Sequence, residues 1–185
     1  MVPLASLWLP ILLSAVVVFV VSSLLHMVLK YHRSDYGKLS NEDAVMDALR
    51  PNPPGDYMTP HSTGPEMRKD PAFQERMRRG PMAMITVMKG DMMTSFRNAL
   101  IGWFVYAIIA SIFAAYVASR ALSPGAAYPQ VFRFVGTVAF LAYGMALAQQ
   151  SIWYGKRWST TFKSMLDALI YALLSAGIFG WLWPR

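Results

Sequence analysis

The sequence predicts an all-α, polytopic membrane protein with four transmembrane helices and a cytoplasmic loop that contains short helices. Three observations support this: four long stretches without charge, an uneven distribution of Lys and Arg, and Trp near the ends of the stretches. No Asp, Glu, Lys or Arg occurs in residues 1–29, 98–119, 134–155 and 168–184. Each stretch approaches or exceeds the ~20 residues that a helix needs to cross a ~30 Å hydrocarbon core. A backbone in lipid must satisfy its own hydrogen bonds, which favours helices.

Basic residues indicate the orientation of the helices. Fourteen of the seventeen Lys and Arg residues fall in the loops at 30–97 and 153–163, and only Arg120, Arg133 and Arg185 fall on the other side. Basic residues beside a span resist translocation, so the loop side is predicted to be cytoplasmic and both termini outside. Indole rings favour the headgroup boundary. The six Trp residues fit an outer and an inner belt: Trp8, Trp181 and Trp183, then Trp103, Trp153 and Trp158.

The chain divides into three predicted segments. Residues 1–30 form the first transmembrane helix, 31–97 the cytoplasmic loop, and 98–185 a region of three transmembrane helices. The first apolar stretch has no basic n-region, and no small-residue cleavage site precedes Lys30. It is therefore predicted to be a retained helix rather than a signal peptide.

Composition and motifs exclude several classes of function. The chain has no Cys, which rules out disulfides, thiolate metal sites and a Cys nucleophile. The net charge is +7, but the loop at 30–97 is nearly balanced, so anionic headgroups are a better partner than nucleic acid. No nucleophile elbow, P-loop or zincin helix is present. The sequence shows neither an internal repeat nor an interrupted helix, the two features that would indicate a transporter. We therefore expect no catalytic residues and no cofactor.

The loop is predicted to contain two short helices and an apolar segment. Ser40 should cap a helix that runs to Arg50, and residues 51–65, rich in Pro and Gly, should be extended. Asp-Pro should open a second helix over 70–79, with Gly80 as the residue that follows it. Five Met residues at 82–93 mark an apolar run that is too short to span a membrane. It should lie in the interface or pack on the bundle, and the alternative is a Met-rich groove for a partner.

Small residues recur every four positions in two of the transmembrane helices. Such residues let helix backbones approach closely in lipid, either within one bundle or between protomers. We favour packing within one bundle. The residues are Ala110, Ala114 and Ala118 in the second helix, and Ala168, Ala172, Ala176 and Gly180 in the fourth.

Polar side chains within the spans are the best candidate site, because ionisable groups are costly in lipid. By topology, six of them should lie at similar depth near the inner leaflet: His26, Asn98, Gln149, Gln150, Lys163 and Asp167. If they converge, they could hold a headgroup, an ion or a proton. The alternative is that they are ordinary polar helix ends, and that Asp167, one turn inside its helix, pairs with Lys163.

A metal site is a weaker possibility. His32 and Asp35 have i,i+3 spacing and His61 could join them from the loop, giving three nitrogen or oxygen ligands. His26 is the one His within a span, which excludes a haem held by two His of one protomer. His26 and His32 are six residues apart, a spacing that does not align on a regular helix. Residues 31–36 are more simply interpreted as an anchor at the headgroups.

The C-terminal third carries a recognisable pattern, WYGKRW at 153–158, DALIY at 167–171 and GIFGWLWP at 177–184. It resembles the ends of small four-helix bacterial membrane proteins of unknown function. Those proteins often show an aromatic-Gly-basic turn, a last helix that opens with Asp and a nearby Tyr, and a similar terminal ending. The resemblance implies a bacterial cytoplasmic membrane and no particular activity.

The sequence thus favours a non-catalytic membrane component that associates laterally with itself or with other membrane proteins in the lipid bilayer. The alternative is a small-molecule, lipid or ion-handling protein that uses the polar residues near the inner leaflet. A third class is a metal-dependent membrane enzyme built around His32, Asp35 and His61.

Overall fold

The computed structural model describes the whole chain, Met1–Arg185. Four helical segments are long and apolar enough to cross a membrane, and we number them spans 1 to 4: Leu4–Val28, Met92–Ala121, Tyr128–Tyr154 and Trp158–Trp181. The protein is therefore an all-α polytopic membrane protein, which confirms the prediction from the uncharged stretches. The elements are α1 (Trp8–Ser23), α2 (Glu42–Leu49), β1 (Gly55–Thr59), α3 (Pro65–Lys69), α4 (Pro71–Arg79), β2 (Ala83–Val87), α5 (Met92–Ala121), α6 (Tyr128–Tyr143), α7 (Ala148–Tyr154) and α8 (Trp158–Trp181).

The chain forms two compact units. Met1–Gly37 and Arg97–Arg185 make up the bundle unit, and Lys38–Phe96 makes up the loop unit. The second bound, at Arg97, lies next to the start of the uncharged stretch at 98–119. The first bound, at Gly37, lies beyond the stretch at 1–29, because the turn after span 1 belongs to the bundle unit.

Small residues bring α6 and α8 into close contact. A Cβ placed on Gly136 would lie 3.3 Å from the Cβ of Ala176, and one on Gly144 would lie 2.9 Å from the Cβ of Ala168. A Cβ on Gly180 would come within 2.6 Å of the Tyr128 ring. The four-residue stripe of α8 is thus packed inside the chain, where small side chains permit contact between backbones.

The stripe of α5 is also packed inside the bundle unit. Ala110, Ala114 and Ala118 are at most 3% exposed. Ala114 and Ala118 share a core cluster with Leu7 of the first span, and Ala110 shares a second cluster with Val18 of the same span. Both stripes therefore contribute to packing within one protomer.

Span 3 is interrupted, a feature that we did not predict from the sequence. Helix α6 ends at Tyr143, Gly144 has φ −121° and ψ −48°, and a 3-10 turn over Met145–Leu147 precedes α7. Gly144 lies at the break, where a Cβ would come within 2.9 Å of Ala168 in α8 and 3.2 Å of Phe140 in its own helix, so only glycine fits this position. The expectation of no interrupted helix is wrong.

Two of the six Trp residues form hydrogen bonds inside the bundle unit. The indole N–H of Trp103 donates to Ser22 Oγ at 2.8 Å, and that of Trp183 donates to the Ser123 carbonyl at 3.1 Å. The other four have exposed rings: Trp8, Trp153, Trp158 and Trp181.

The predicted helices of the loop unit are present, with one different cap. Asp70 Oδ1 accepts a hydrogen bond from the N–H of Ala72 at 3.0 Å at the start of α4, and Gly80 after it has φ 55°. Both features match the prediction. Ser40 does not cap α2, since Asn41 occupies that position and makes no side-chain cap hydrogen bond. Helix α3 was not predicted.

The Met-rich run contains a strand, which we did not predict. Strand β2 pairs antiparallel with β1, with Tyr57 opposite Ile85. The alternating burial of Ala83–Val87 and its β-branched residues suit a pleated strand. Its partner strand lies within residues 51–65, the segment that we predicted to be extended.

Candidate ion site

Span 1 loses its regular helical geometry near its end. The hydroxyls of Ser22 and Ser23 donate to the Phe19 carbonyl at 2.8 and 2.9 Å, a type of contact that often bends helices. Leu24–Val28 forms a π turn, closed by an i→i+5 hydrogen bond from the N–H of Leu29. Short π segments inside helices are frequent at functional sites.

The next residues fold back toward the helix end. Leu29 is extended, with ψ 133°, and a 3-10 turn follows over Lys30–Ser34. The turn stacks the His32 ring on the His26 ring, with centroids 4.5 Å apart and planes 7° from parallel. The Tyr31 ring lies 4.2 Å from the His32 ring. The expectation that His26 and His32 do not align holds only for a regular helix, and the irregular turns bring the two rings together.

Both His rings face Asp167 of α8. The Asp167 residue is 3% exposed, and it lies more than two turns after Trp158, deeper than the one turn that we predicted. Its Oδ2 is 2.7 Å from His32 Nε2 and 3.8 Å from His26 Nε2. The Tyr31 hydroxyl donates to its Oδ1. A buried carboxylate requires such partners, because removal from water penalises the charged form.

Further residues hold this group in place. His32 Nδ1 donates to Asp35 Oδ2 at 2.6 Å. The ammonium of Lys163 donates to the Tyr31 carbonyl at 2.7 Å, to Ser34 Oγ at 2.8 Å and to Asp35 Oδ1 at 2.9 Å. We define the His–Asp cluster as His26, Tyr31, His32, Asp35, Lys163 and Asp167.

The partner of Lys163 differs from the one predicted. An ammonium group has three N–H donors, and all three of Lys163 are used by the turn after span 1. Lys163 therefore forms its ion pair with Asp35 rather than with Asp167. The local i,i+4 spacing suggested the wrong pair because it could not account for the turn.

Arg157 also holds the turn after span 1 in place, which we did not predict. Its guanidinium donates to the carbonyls of Ser34 at 2.6 Å and Asp35 at 2.8 Å. Arg157 lies just before α8, so the beginning of span 4 fixes the 3-10 turn that carries His32. The only signal in the sequence was its place in the basic turn between spans 3 and 4.

Two groups of the cluster outside the spans have shifted pKa values. Burial, and then the hydrogen bond to Asp167, raise the pKa of the Tyr31 hydroxyl. Burial also acts to raise the pKa of Asp35, but the hydrogen bonds from His32 and Lys163 outweigh it and lower that pKa. Tyr31 is therefore a protonated donor and Asp35 an ionised acceptor near neutral pH.

The structure brings together part of each predicted site. Three residues of the predicted inner-leaflet set belong to the cluster: His26, Lys163 and Asp167. The other three are exposed and make none of the hydrogen bonds of the cluster: Asn98, Gln149 and Gln150. Of the predicted metal ligands, His32 and Asp35 belong to the cluster, whereas His61 is an exposed residue of the loop unit.

The arrangement brings three potential ligand atoms close together. His26, His32 and Asp167 each present one potential ligand atom, and these atoms lie within 4.8 Å of one another. A carboxylate beside two imidazole nitrogens can hold a cation or share a proton.

Comparison with protein-family models, with curated proteins and with solved structures finds no match to this chain. The resemblance of the C-terminal third to small bacterial membrane proteins therefore stays a prediction, and the function has to be argued from the His–Asp cluster.

Proposed function

We propose that this chain is a non-catalytic protein of the bacterial inner membrane that binds a small cation at the His–Asp cluster. The loop unit lies on the cytoplasmic side and both termini lie outside. The orientation rests on the fourteen basic residues in the loops against three elsewhere.

One observation carries the proposal, the burial of Asp167 between two imidazole rings. Ionisable groups inside spans are expensive and mark ion or proton sites by default. Asp167 could have been a simple ion pair with Lys163, but Lys163 is directed to Asp35. The side of Asp167 that carries Oδ2 thus meets only ring nitrogens, with a 3.8 Å gap to His26. That gap is too long for a hydrogen bond, and a cation fits between the two groups.

Lateral association, which the sequence favoured, has less support. The small-residue stripes, which could also have joined protomers, are both packed within the protomer. Association would have to use side chains that face lipid.

Cation binding can be tested with the purified full-length protein in mild detergent. Thermal unfolding is followed with chelator alone and then with added Na⁺, K⁺, Mg²⁺, Ca²⁺, Co²⁺ or Zn²⁺. A ligand at 100 times its Kd stabilises the folded state by about 2.7 kcal/mol. We expect at least one cation to raise the Tm of the wild type and not of Asp167→Asn, while Glu66→Gln, an exposed acid of the loop unit, behaves like the wild type. If no cation has this effect, the proposed function is wrong.

Orientation has a separate test. A reporter that is active only outside the cytoplasm should be active when fused after Arg185 and inactive when inserted near Asn52. The opposite pattern would overturn the orientation but not the ion site.

A further inference from the structure

We infer that the cation of the His–Asp cluster is a divalent transition-metal ion, bound by Nε2 of His26, Nε2 of His32 and the carboxylate of Asp167. The inference rests on the proposed function and specifies its ligand. Four observations support it: convergence of the ligand atoms, the hydrogen bonds of the opposite ring nitrogens, the placement of Asp167, and the chemistry of the donor set.

The three ligand atoms surround one point. Two of the separations are 2.7 and 3.8 Å, and none exceeds 4.8 Å. A point between the atoms therefore lies roughly 2–3 Å from each, close to the ~2.0–2.2 Å bonds that Zn²⁺ forms with His and Asp. Small side-chain movements suffice to reach bonding distance. The proton in the hydrogen bond between His32 Nε2 and Asp167 Oδ2 would be released to water, and both atoms would then bind the metal.

Both rings are held through the nitrogen that would not bind metal. His26 Nδ1 lies 3.0 Å from the Ser22 carbonyl, which can only accept, so this nitrogen carries the proton and leaves the Nε2 lone pair toward Asp167. His32 Nδ1 donates to the carboxylate of Asp35 at 2.6 Å. Metal-binding His residues almost always donate their other N–H to a carbonyl or carboxylate, which sets the tautomer and the ring orientation. Both His residues of the cluster show this pattern.

The acidic ligand is positioned in the same way. The Tyr31 hydroxyl donates to Asp167 Oδ1, which leaves Oδ2 facing the two rings. Asp35, the partner of His32, is itself held by Lys163 at 2.9 Å. Tyr31, Asp35 and Lys163 are thus positioning residues, and the positive charge of Lys163 does not compete for Asp167.

The donor set selects the class of ion. Imidazole nitrogens suit Zn²⁺, Co²⁺, Ni²⁺, Cu²⁺ and Fe²⁺, whereas Ca²⁺ takes six to eight oxygen ligands and Mg²⁺ keeps several waters. The side chain of His26 is 53% exposed, while those of His32 and Asp167 are 13% and 4% exposed. One side of the site is therefore not covered by protein, so a fourth position is available to an exchanging ligand.

The test uses Co²⁺, because its visible absorption reports nitrogen and oxygen ligation. The full-length protein, purified without a polyhistidine tag and stripped with chelator, is titrated with Co²⁺ and then with competing Zn²⁺. We expect one Co²⁺ per chain, displaced by one Zn²⁺. His26→Gln and Asp167→Asn should remove the absorption, and His61→Gln, which changes an exposed His of the loop unit, should leave it unchanged.

A positioning variant gives a graded result. Loss of a partner hydrogen-bonded to a metal ligand typically weakens metal binding by about 10–100-fold. Asp35→Asn should therefore weaken Co²⁺ binding within that range and keep the one-to-one stoichiometry. Unchanged affinity in Asp35→Asn would contradict the role given to this residue.

The outcomes separate this inference from the proposed function. If Na⁺, Mg²⁺ or Ca²⁺ stabilises the wild type through Asp167 but the protein shows no Co²⁺ absorption, the cation proposal stands and the metal inference fails. Co²⁺ binding that survives in His26→Gln also overturns it. Elution of each variant from a size-exclusion column shows whether it is folded. His26→Gln decides the matter if the variants of buried residues do not fold, since its ring is half-exposed.

Discussion

Ion pairs in the bundle unit and in the loop unit differ in side-chain exposure and in the sequence separation of their partners. In the loop unit they join residues three apart on one short helix, and their side chains are 55–87% exposed: Arg50–Asp47, Lys69–Glu66 and Arg78–Glu75. In the bundle unit, Asp35 and Asp167 have side chains 8% and 4% exposed, and each meets a partner more than 120 residues away in sequence. Asp35 also pairs with His32, three residues away. Exposed pairs contribute little to stability. Buried ones are costly to break, because the remaining charge has no water. The loop pairs thus stabilise their own short helices only slightly, and the buried set is suited to a function.

The largest expected effect comes from Asp167→Asn, measured as the free energy of unfolding in a detergent titration. Removing one partner of a buried pair costs about 3–5 kcal/mol. The matched change in the loop unit, Asp47→Asn, should cost at most about 1 kcal/mol, because its pair with Arg50 is exposed. Equal effects of the two variants would remove the distinction between the units.

A second change tests whether the bundle interior is as tightly packed as the buried pairs require. Ala172 is 1% exposed on the α8 stripe. Ala172→Leu should destabilise the protein by about 1–3 kcal/mol, since extra methylenes must displace neighbours. Ala99→Leu, at an exposed position of α5, is the control and should have little effect. An unchanged thermal midpoint for Ala172→Leu would mean that the stripe tolerates bulk.

Coupling within the His–Asp cluster can be measured in metal-free buffer. Groups of one network show non-additive effects of about 0.5–3 kcal/mol in a double-mutant cycle. The pair His32→Gln and Asp167→Asn should couple more strongly than His26→Gln and Asp167→Asn, because the two distances are 2.7 and 3.8 Å. Additive effects for both pairs would show that the cluster residues act independently.

The smallest expected effect is the pH response of an exposed acid in the loop unit. Asp91 accepts hydrogen bonds from the N–H and the hydroxyl of Thr94, both at 2.9 Å, and these lower its pKa. A lowered folded-state pKa stabilises the fold above the unfolded-state pKa of ~3.9, and the contribution is lost as pH falls through the folded-state value. The difference in Tm between the wild type and Asp91→Ala should therefore shrink as pH falls below the unfolded-state value. A difference independent of pH would contradict this.

The sequence alone determined the class of the protein and the number of spans. Whether a segment can enter lipid depends on its own length and composition, so residues 1–29 or 168–184 could be read without knowledge of their neighbours. The cap of α4 at Asp70 and the end of α4 before Gly80 could also be predicted from the sequence, because caps involve residues a few positions apart.

Only the tertiary structure decided which residues form the site. His26 and His32 meet because a π turn and a 3-10 turn interrupt the helical periodicity, and neither turn has a clear sequence signature. Lys163 pairs with Asp35 rather than with Asp167 of its own helix because span 1 ends against α8. The partner of β2 and the break at Gly144 likewise depend on contacts with distant residues. Local patterns set what each segment can be, while the packing of distant segments sets which polar groups share a buried space.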